Sequence, residues 1–254
     1  MKSDKEHKKA LITGGAGNIG SATSRYFSER DIEVLVADIN DKKGKKLVDE
    51  IISDGGNAQY YRMDVCFSGD VMRAFHDIKE DHGYLDYLIN IAGGAKDEAN
   101  RLFEDIDEPT MRFEMERNYF GSCRTIKSSI PLMAGREDPC IVNTSSGNAL
   151  SAVGNPHYSA SKGALLSLGR YLASSLGERE IRVNTVIPGT IPGHRTGEMY
   201  NNNVFERLKE RISVKDFGKP EDVAEGIYFL TQNSYANGTE LVIDGGANAG
   251  KHIV

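Results

Sequence analysis

The chain has 254 residues, 39% of them hydrophobic, and a formal net charge of -6. That size and apolar share suit one domain over residues 1–254 with a large core, and no linker-like stretch divides it. The acidic balance is spread without a basic stripe, which argues against nucleic acid, and a charged MKSDKEHKKA opening with no later apolar window of ~20 residues predicts a soluble cytoplasmic protein with no membrane partner.

KKALIT, at 8–13, is a short apolar run that enters the turn Thr13, Gly14, Gly15, Ala16, Gly17, Asn18, Ile19, Gly20 and then the amphipathic SATSRYFSER. Strand, glycine turn and helix in that order suit a dinucleotide: glycines admit the backbone close to a pyrophosphate that faces a helix N-terminus. The next strand, IEVLVAD, ends in Asp38, eighteen residues after Gly20. A carboxylate there accepts from the adenosine ribose hydroxyls and repels a 2′-phosphate, which favours NAD over NADP. The alternative for Asp38 is an ordinary helix N-cap at a strand end.

DKKGKKLVDEIISDGG reads as a helix with Leu47, Val48, Ile51 and Ile52 on its apolar side, followed by the strand NAQYYRMDV. Asp64 and Val65 close that strand, where they suit an adenine edge; a plain turn aspartate is the alternative. DVMRAFHDIKEDHG is helical by pattern, and LDYLINIAGG is a strand running into Gly93 and Gly94. The alternation predicts a doubly wound parallel α/β sheet of about seven strands with helices on both faces.

Residues 109–130 read as one helix with Met111, Met115, Phe120, Cys123 and Ile126 apolar and Asn118 among them. An interior asparagine is unfavourable unless it has a partner; a solvent-facing one is the alternative. CIVNTSS then reads as a buried strand that delivers Ser145 to its carboxyl end. In the following helix, SASKGALLSLGRYLASSL, Tyr158 and Lys162 lie one turn apart on one face. An ammonium at that spacing favours the phenolate and predicts a lowered Tyr158 pKa. IRVNTVIPG supplies a sixth strand, ending in Pro188 and Gly189. The irregular stretch at 190–214 follows a strand's carboxyl end, where a substrate lid belongs. KPEDVAEGIYFLTQ is a helix with Pro at its start, and GTELVIDGG a seventh strand. Cys66, Cys123 and Cys140 form no C-x-x-C pair and suit structural thiols, so no metal is expected.

With these pieces in order, the chain resembles the short-chain dehydrogenase/reductase family, in its compact single-domain branch, over essentially its whole length. The matching residues are TGGAGNIG at 13–20, Asp38, DV at 64–65, NIAG at 90–93, Asn118, Ser145, Tyr158 with Lys162, PG at 188–189, KPEDVA at 219–224 and IDGG at 243–246. The resemblance implies a Rossmann-like fold and an NAD(H)-dependent oxidoreductase acting on a secondary alcohol or ketone. Asn118, Ser145, Tyr158 and Lys162 would be catalytic: Tyr158 as general acid/base, Ser145 polarising the substrate oxygen, Lys162 lowering the Tyr158 pKa and holding the nicotinamide ribose, and Asn118 positioning a water. Cofactor contacts would come from Gly14, Gly17, Asn18, Ile19, Gly20, Asp38, Ile39, Asp64, Val65, Asn90, Ala92, Gly93, Tyr158, Lys162, Pro188, Gly189, Thr190 and Ile191. It also implies a homotetramer or homodimer built through the helices carrying Asn118 and Tyr158.

Two departures stand out. The compact branch usually has Gly where this chain has Asn18, so the Gly14, Gly17, Gly20 spacing matches the longer branch that holds sugar-nucleotide epimerases. An NAD-dependent isomerase or lyase of that kind is therefore the second function expected. Asn tolerates a left-handed backbone, which would let the turn survive. Ile91 replaces the second Asn of the family's usual N-N-A-G. For the substrate, His194 and Arg195, with Lys96 and Arg101, point to a polar or anionic small molecule such as a hydroxy acid or sugar; solvated charges are the alternative.

Overall fold

The computed structural model describes residues 7–95, 103–151, 155–193 and 202–249. Seven short strands carry the fold: β1 (Lys9–Thr13), β2 (Glu33–Asp38), β3 (Ala58–Arg62), β4 (Tyr87–Asn90), β5 (Cys140–Thr144), β6 (Arg182–Pro188) and β7 (Glu240–Ile243). They pair in the order β3-β2-β1-β4-β5-β6-β7, and every pairing is parallel. The chain order reverses between β1 and β4, which opens a crevice at the strands' carboxyl ends there.

Alternation along the strands gives the sheet two apolar faces. Leu11, Leu35, Leu88, Ile141 and Val183 face one side, where they meet Phe75 and Ile78 of α3 (Ser68–His82). Also on that side are Ile126 and Leu132 of α5 (Gly121–Met133) and Leu176 of α6 (Pro156–Gly177). Ile12, Val34, Val36, Ile89, Val142 and Val186 face the other, against Phe27 of α1 (Asn18–Ser28), Leu47 and Ile51 of α2 (Asp41–Ser53), and Val223, Ile227 and Leu230 of α8 (Pro220–Gln232). Of the apolar side expected for α2, Ile52 lies outside this core and is exposed. Buried Arg182 ties the sheet to the last turn of α8 and the segment after it by donating to the carbonyls of Leu230, Thr231 and Ala236.

The stretch expected as one helix from 109 to 130 is α4 (Glu108–Met115), a π-helical segment (Glu116–Phe120) and α5 (Gly121–Met133) in unbroken succession. Its inward stripe is polar: Thr110, Glu114, Asn118, Ser122, Thr125 and Ser129 are buried, whereas Phe120 is exposed. Most of these polar groups survive inside because they find partners, the Thr110 hydroxyl excepted. Ser122 donates to the Asn118 carbonyl and Ser129 to that of Ile126, while Thr125 donates to the Asn90 side chain at 2.7 Å. Before α8, α7 spans Asn202–Arg211.

Candidate active site

At the crevice, β1 ends in the glycine turn and α1 begins. Gly14 has a φ of 65°, and a Cβ there would sit 2.9 Å from the Ala92 backbone beyond β4. A Cβ on Gly20 would come within 2.0 Å of the Gly14 carbonyl oxygen. Only glycine satisfies both the left-handed backbone and the close approach. Gly17 is the N-cap of α1, and no side chain caps that helix, so its first N–H groups point out of a turn kept free of side chains. Asn18 and Ile19 open the helix. Asn18 is not left-handed as expected; it is the first right-handed residue of α1, and its Nδ2 donates to the Pro192 carbonyl at 3.0 Å.

Asp38 closes β2 beside this turn. One carboxylate oxygen accepts from the Ala16 N–H at 3.1 Å and the other from the Asn40 N–H at 2.9 Å. Asn40, not Asp38, caps α2 by accepting from the Lys43 N–H, so the capping alternative for Asp38 is not realised. Each carboxylate oxygen keeps further acceptor capacity. Ile39 follows, exposed. Asp64 accepts from the Cys66 N–H at 2.9 Å as a turn aspartate, with Val65 buried beside it.

Asn90 is locked between Asn143 and Thr125, its Nδ2 donating to Asn143 Oδ1 at 3.0 Å; it ties β4 to β5 inside the protein. Ile91 packs against the apolar core on the α1 side. Ala92 donates its N–H to the Thr13 hydroxyl, which draws the strip after β4 against the glycine turn. Past β6, the Gly189 N–H donates to the Ile243 carbonyl, and the Thr190 carbonyl accepts from the Gly218 N–H. Pro188 ends β6, and Ile191 packs on the core.

The catalytic candidates meet one strand further on. A Cβ built on Gly93 would lie 2.4 Å from Asn118 Oδ1 and 3.3 Å from Lys162 Nζ, so these two side chains flank the same backbone strip. Asn118 is fully buried; its Oδ1 accepts from the Gly94 N–H at 2.8 Å. Lys162 Nζ donates to the Thr144 carbonyl at 2.8 Å and lies 5.9 Å from the centre of the Tyr158 ring. Asn155, N-cap of α6, accepts from the N–H groups of His157 and Tyr158 and so fixes where the phenol starts.

Ser145 is not the hydroxyl beside Tyr158. Its Oγ donates to the Lys162 carbonyl at 2.8 Å and is buried against the α6 backbone. Ser146 is instead the serine whose side chain acts on the Tyr158 phenol, drawing its pKa down. The reason is the two-residue period of an extended chain: Ser146 is still extended (φ -161°, ψ 149°), so adjacent serines face opposite ways.

The titration of the pair also differs from expectation. Burial pushes the Tyr158 phenol above its ordinary range; the Ser146 hydrogen bond opposes this, Glu114 adds to it and Arg117 opposes it. Lys162 is brought down to about 8, first by burial and then by Arg117, with Glu114 acting the other way. Lys162 is not among the groups that lower the phenol pKa here, and its amine is turned onto the Thr144 carbonyl.

Ser146, Asn155, Glu114 and Arg117 are the site residues that the sequence reading did not select. Asn before Pro at 155–156 is a helix-start signal, and strand alternation separates Ser146 from Ser145. Lys96, Arg101, His194 and Arg195 lie outside the described residues. Burial also pushes the thiols of Cys66 and Cys140 up to about 11, the state of unreactive structural cysteines. Among the described residues no helix is long and apolar enough to cross a membrane.

The glycine cradle, the Asp38 carboxylate and the Gly93 strip fit a nicotinamide dinucleotide. A family model described as enoyl-(acyl carrier protein) reductase matches residues 14–248. A 3-oxoacyl-acyl-carrier-protein reductase from Chlamydia pneumoniae is 30% identical over 243 residues, covering 94% of this chain and 96% of that protein. Zerumbone synthase from Zingiber zerumbet is 31% identical over 266 residues, covering 98% and 97%. A structure described as a D-mannonate oxidoreductase from Haemophilus influenza, with bound NAD, matches with a TM-score of 0.90 at 25% identity over 97% of this chain and 96% of that one. The chain belongs to the short-chain dehydrogenase/reductase family, and is therefore an oxidoreductase that works with a nicotinamide cofactor on a small molecule.

Proposed function

We propose that this enzyme uses NAD(H) to interconvert a secondary alcohol and a ketone on a polar small molecule. The observation that carries the alcohol–ketone reading is the Ser146–Tyr158 hydroxyl pair with the Lys162 amine and Asn118 amide close behind it. Two hydroxyls side by side can grip one oxygen, and the phenol can pass it a proton. Ser146 holds the substrate oxygen and Tyr158 gives or takes the proton. A phenol kept protonated by burial is the donor that ketone reduction requires. Lys162 keeps positive charge near the phenol and holds the cofactor ribose, and Asn118 orients the groups around Lys162. A bound nicotinamide supplies or accepts the hydride.

The choice of NAD rests on Asp38, whose fixed carboxylate would repel a 2′-phosphate. Gly14, Gly17 and Gly20 would admit the pyrophosphate. Asp64 and Val65 would border the adenine, and Thr190 and Ile191 the carboxamide. Assembly through the helical run that carries Asn118 and through α6 is supported by a groove of about 540 Å³ there, where Met111, Phe113, Met115 and Phe120 are joined by Arg112 and Glu116.

NADH oxidation across a panel of polar ketones, run beside thermal unfolding with NAD and with NADP, tests both parts. Tyr158→Phe is expected to lower turnover by about 10³-fold while NADH fluorescence still reports binding. NAD is expected to raise the unfolding temperature and NADP to leave it nearly unchanged. Equal protection by the two would remove the Asp38 argument, and a Phe variant with near-normal turnover would remove the Tyr158 role.

A further inference from the structure

We propose that Glu114 is a positioning residue of the proton relay, fixing the Asn118 amide and supplying a counter-charge to Lys162; this rests on the alcohol–ketone reading of the same site. Glu114 is completely buried, one turn before Asn118. A carboxylate so enclosed is costly unless it is paired, so its partners identify its task. Asn118 Nδ2 donates to Glu114 Oε2 at 3.0 Å and to the Glu114 carbonyl at 3.0 Å. The Arg117 guanidinium lies 3.8 Å from the same carboxylate oxygen and donates to the Gly94 carbonyl.

An ionised carboxylate only accepts, so it selects one of the two amide orientations. The Asn118 NH2 group faces Glu114, and its oxygen is left to the Gly94 N–H and the strip that Lys162 flanks. A flipped amide would set oxygen against oxygen and lose both contacts. Arg117 and Asn118 stand three and four residues after Glu114, and so lie on the face that it occupies.

Among the described residues, the charged and titratable groups facing this carboxylate include Arg117 from the π segment and Tyr158 and Lys162 from α6; the strip after β4 contributes backbone groups at Gly93 and Gly94. Glu114 favours the protonated form of both α6 groups, and Arg117 opposes it at both. Removing the negative charge therefore lowers the pH at which each of them loses its proton.

Glu114→Gln and Glu114→Leu separate the two roles, because Gln keeps an acceptor for the Asn118 amide and loses the charge, whereas Leu loses both. The readouts are the pH profile of kcat with NADH and a ketone, and the pH profile of the NADH dissociation constant from fluorescence. For the Gln variant kcat at the optimum is expected within about threefold of the parent, with both profiles moved about one unit toward acid. For the Leu variant kcat is expected to fall at least about tenfold, with NADH affinity nearly kept. Unshifted profiles in the Gln variant would overturn the counter-charge role, and an unimpaired Leu variant the positioning role. If the Leu variant fails to fold, a Gln variant with unmoved profiles decides alone. If the parent turns over no ketone or alcohol, the function proposed above fails, and the NADH profile of the Gln variant still decides for or against Glu114.

Discussion

The glycine turn at Thr13–Gly20 and the side-chain cluster at Asn118, Ser146, Tyr158 and Lys162 border one crevice, yet they are fixed by different means. The turn is shaped by backbone alone: Gly14 presses on Ala92, and Gly20 on Gly14, at distances no side chain could share. The cluster is shaped by side chains that reach backbone carbonyls, Lys162 to Thr144 and Ser145 to Lys162 itself. A hydroxyl in the cluster can therefore be removed while the cradle stays whole, so binding and chemistry should separate under mutation.

The pair Ser146→Ala and Ser145→Ala sharpens that separation most. Ser146 touches the phenol, so its loss is expected to cut turnover by about 10²-fold, with NADH binding unchanged. Ser145 touches only the α6 backbone, and its loss is expected to cost about 1–2 kcal/mol of stability, with turnover lowered less than about tenfold. Steady-state rates and denaturant unfolding on both variants decide it. A larger turnover loss at Ser145 than at Ser146 would reverse the assignment.

The same contrast explains what the sequence made legible. Gly14, Gly20 and Asp38 announce themselves because their constraint is local: a turn that must be left-handed or a strand that must end in a carboxylate leaves a mark at a fixed spacing. The seven strands and their parallel pairing followed in the same way from apolar runs alternating with helical patterns. Ser145 was a near miss, because spacing to Tyr158 says nothing about which side of an extended chain a hydroxyl takes. Glu114 and the polar stripe it belongs to were hidden by an apolar pattern at Met111, Met115 and Phe120 that turns out to lie away from the core. A helix facing a reaction site buries polar atoms, and periodicity of apolar residues then points to the wrong side.

Lys162 offers a measurement of how much the cluster gives up for its chemistry. Its amine is lowered to about 8 in the folded protein from 10.5, so below pH 8 both states are protonated and folding bears the full cost of burying the charge. Between those values the folded state releases its proton and the unfolded chain keeps it, so stability rises with pH. Relative to Lys162→Met, the parent is expected to gain about 2 kcal/mol from pH 7 to pH 10. Groups common to both proteins cancel in the difference. Denaturant unfolding at a series of pH values checks it, and a constant difference would mean that the amine is not desolvated.

Asn18 is the point where the two sides are tied together, and its effect should be the smallest. Its amide donates to Pro192, in the segment that leaves β6 toward the lid, and a Cβ on Gly193 would meet the same nitrogen at 2.9 Å. Asn18→Gly removes one part-exposed hydrogen bond between the cradle and that segment, a loss of about 1 kcal/mol. If the tether holds the segment over the cofactor, the loss should appear in NADH release, about fivefold faster by stopped-flow fluorescence, with the association rate unchanged. Were association slowed instead, Asn18 would be shaping the turn itself, and the cradle would depend on a side chain after all.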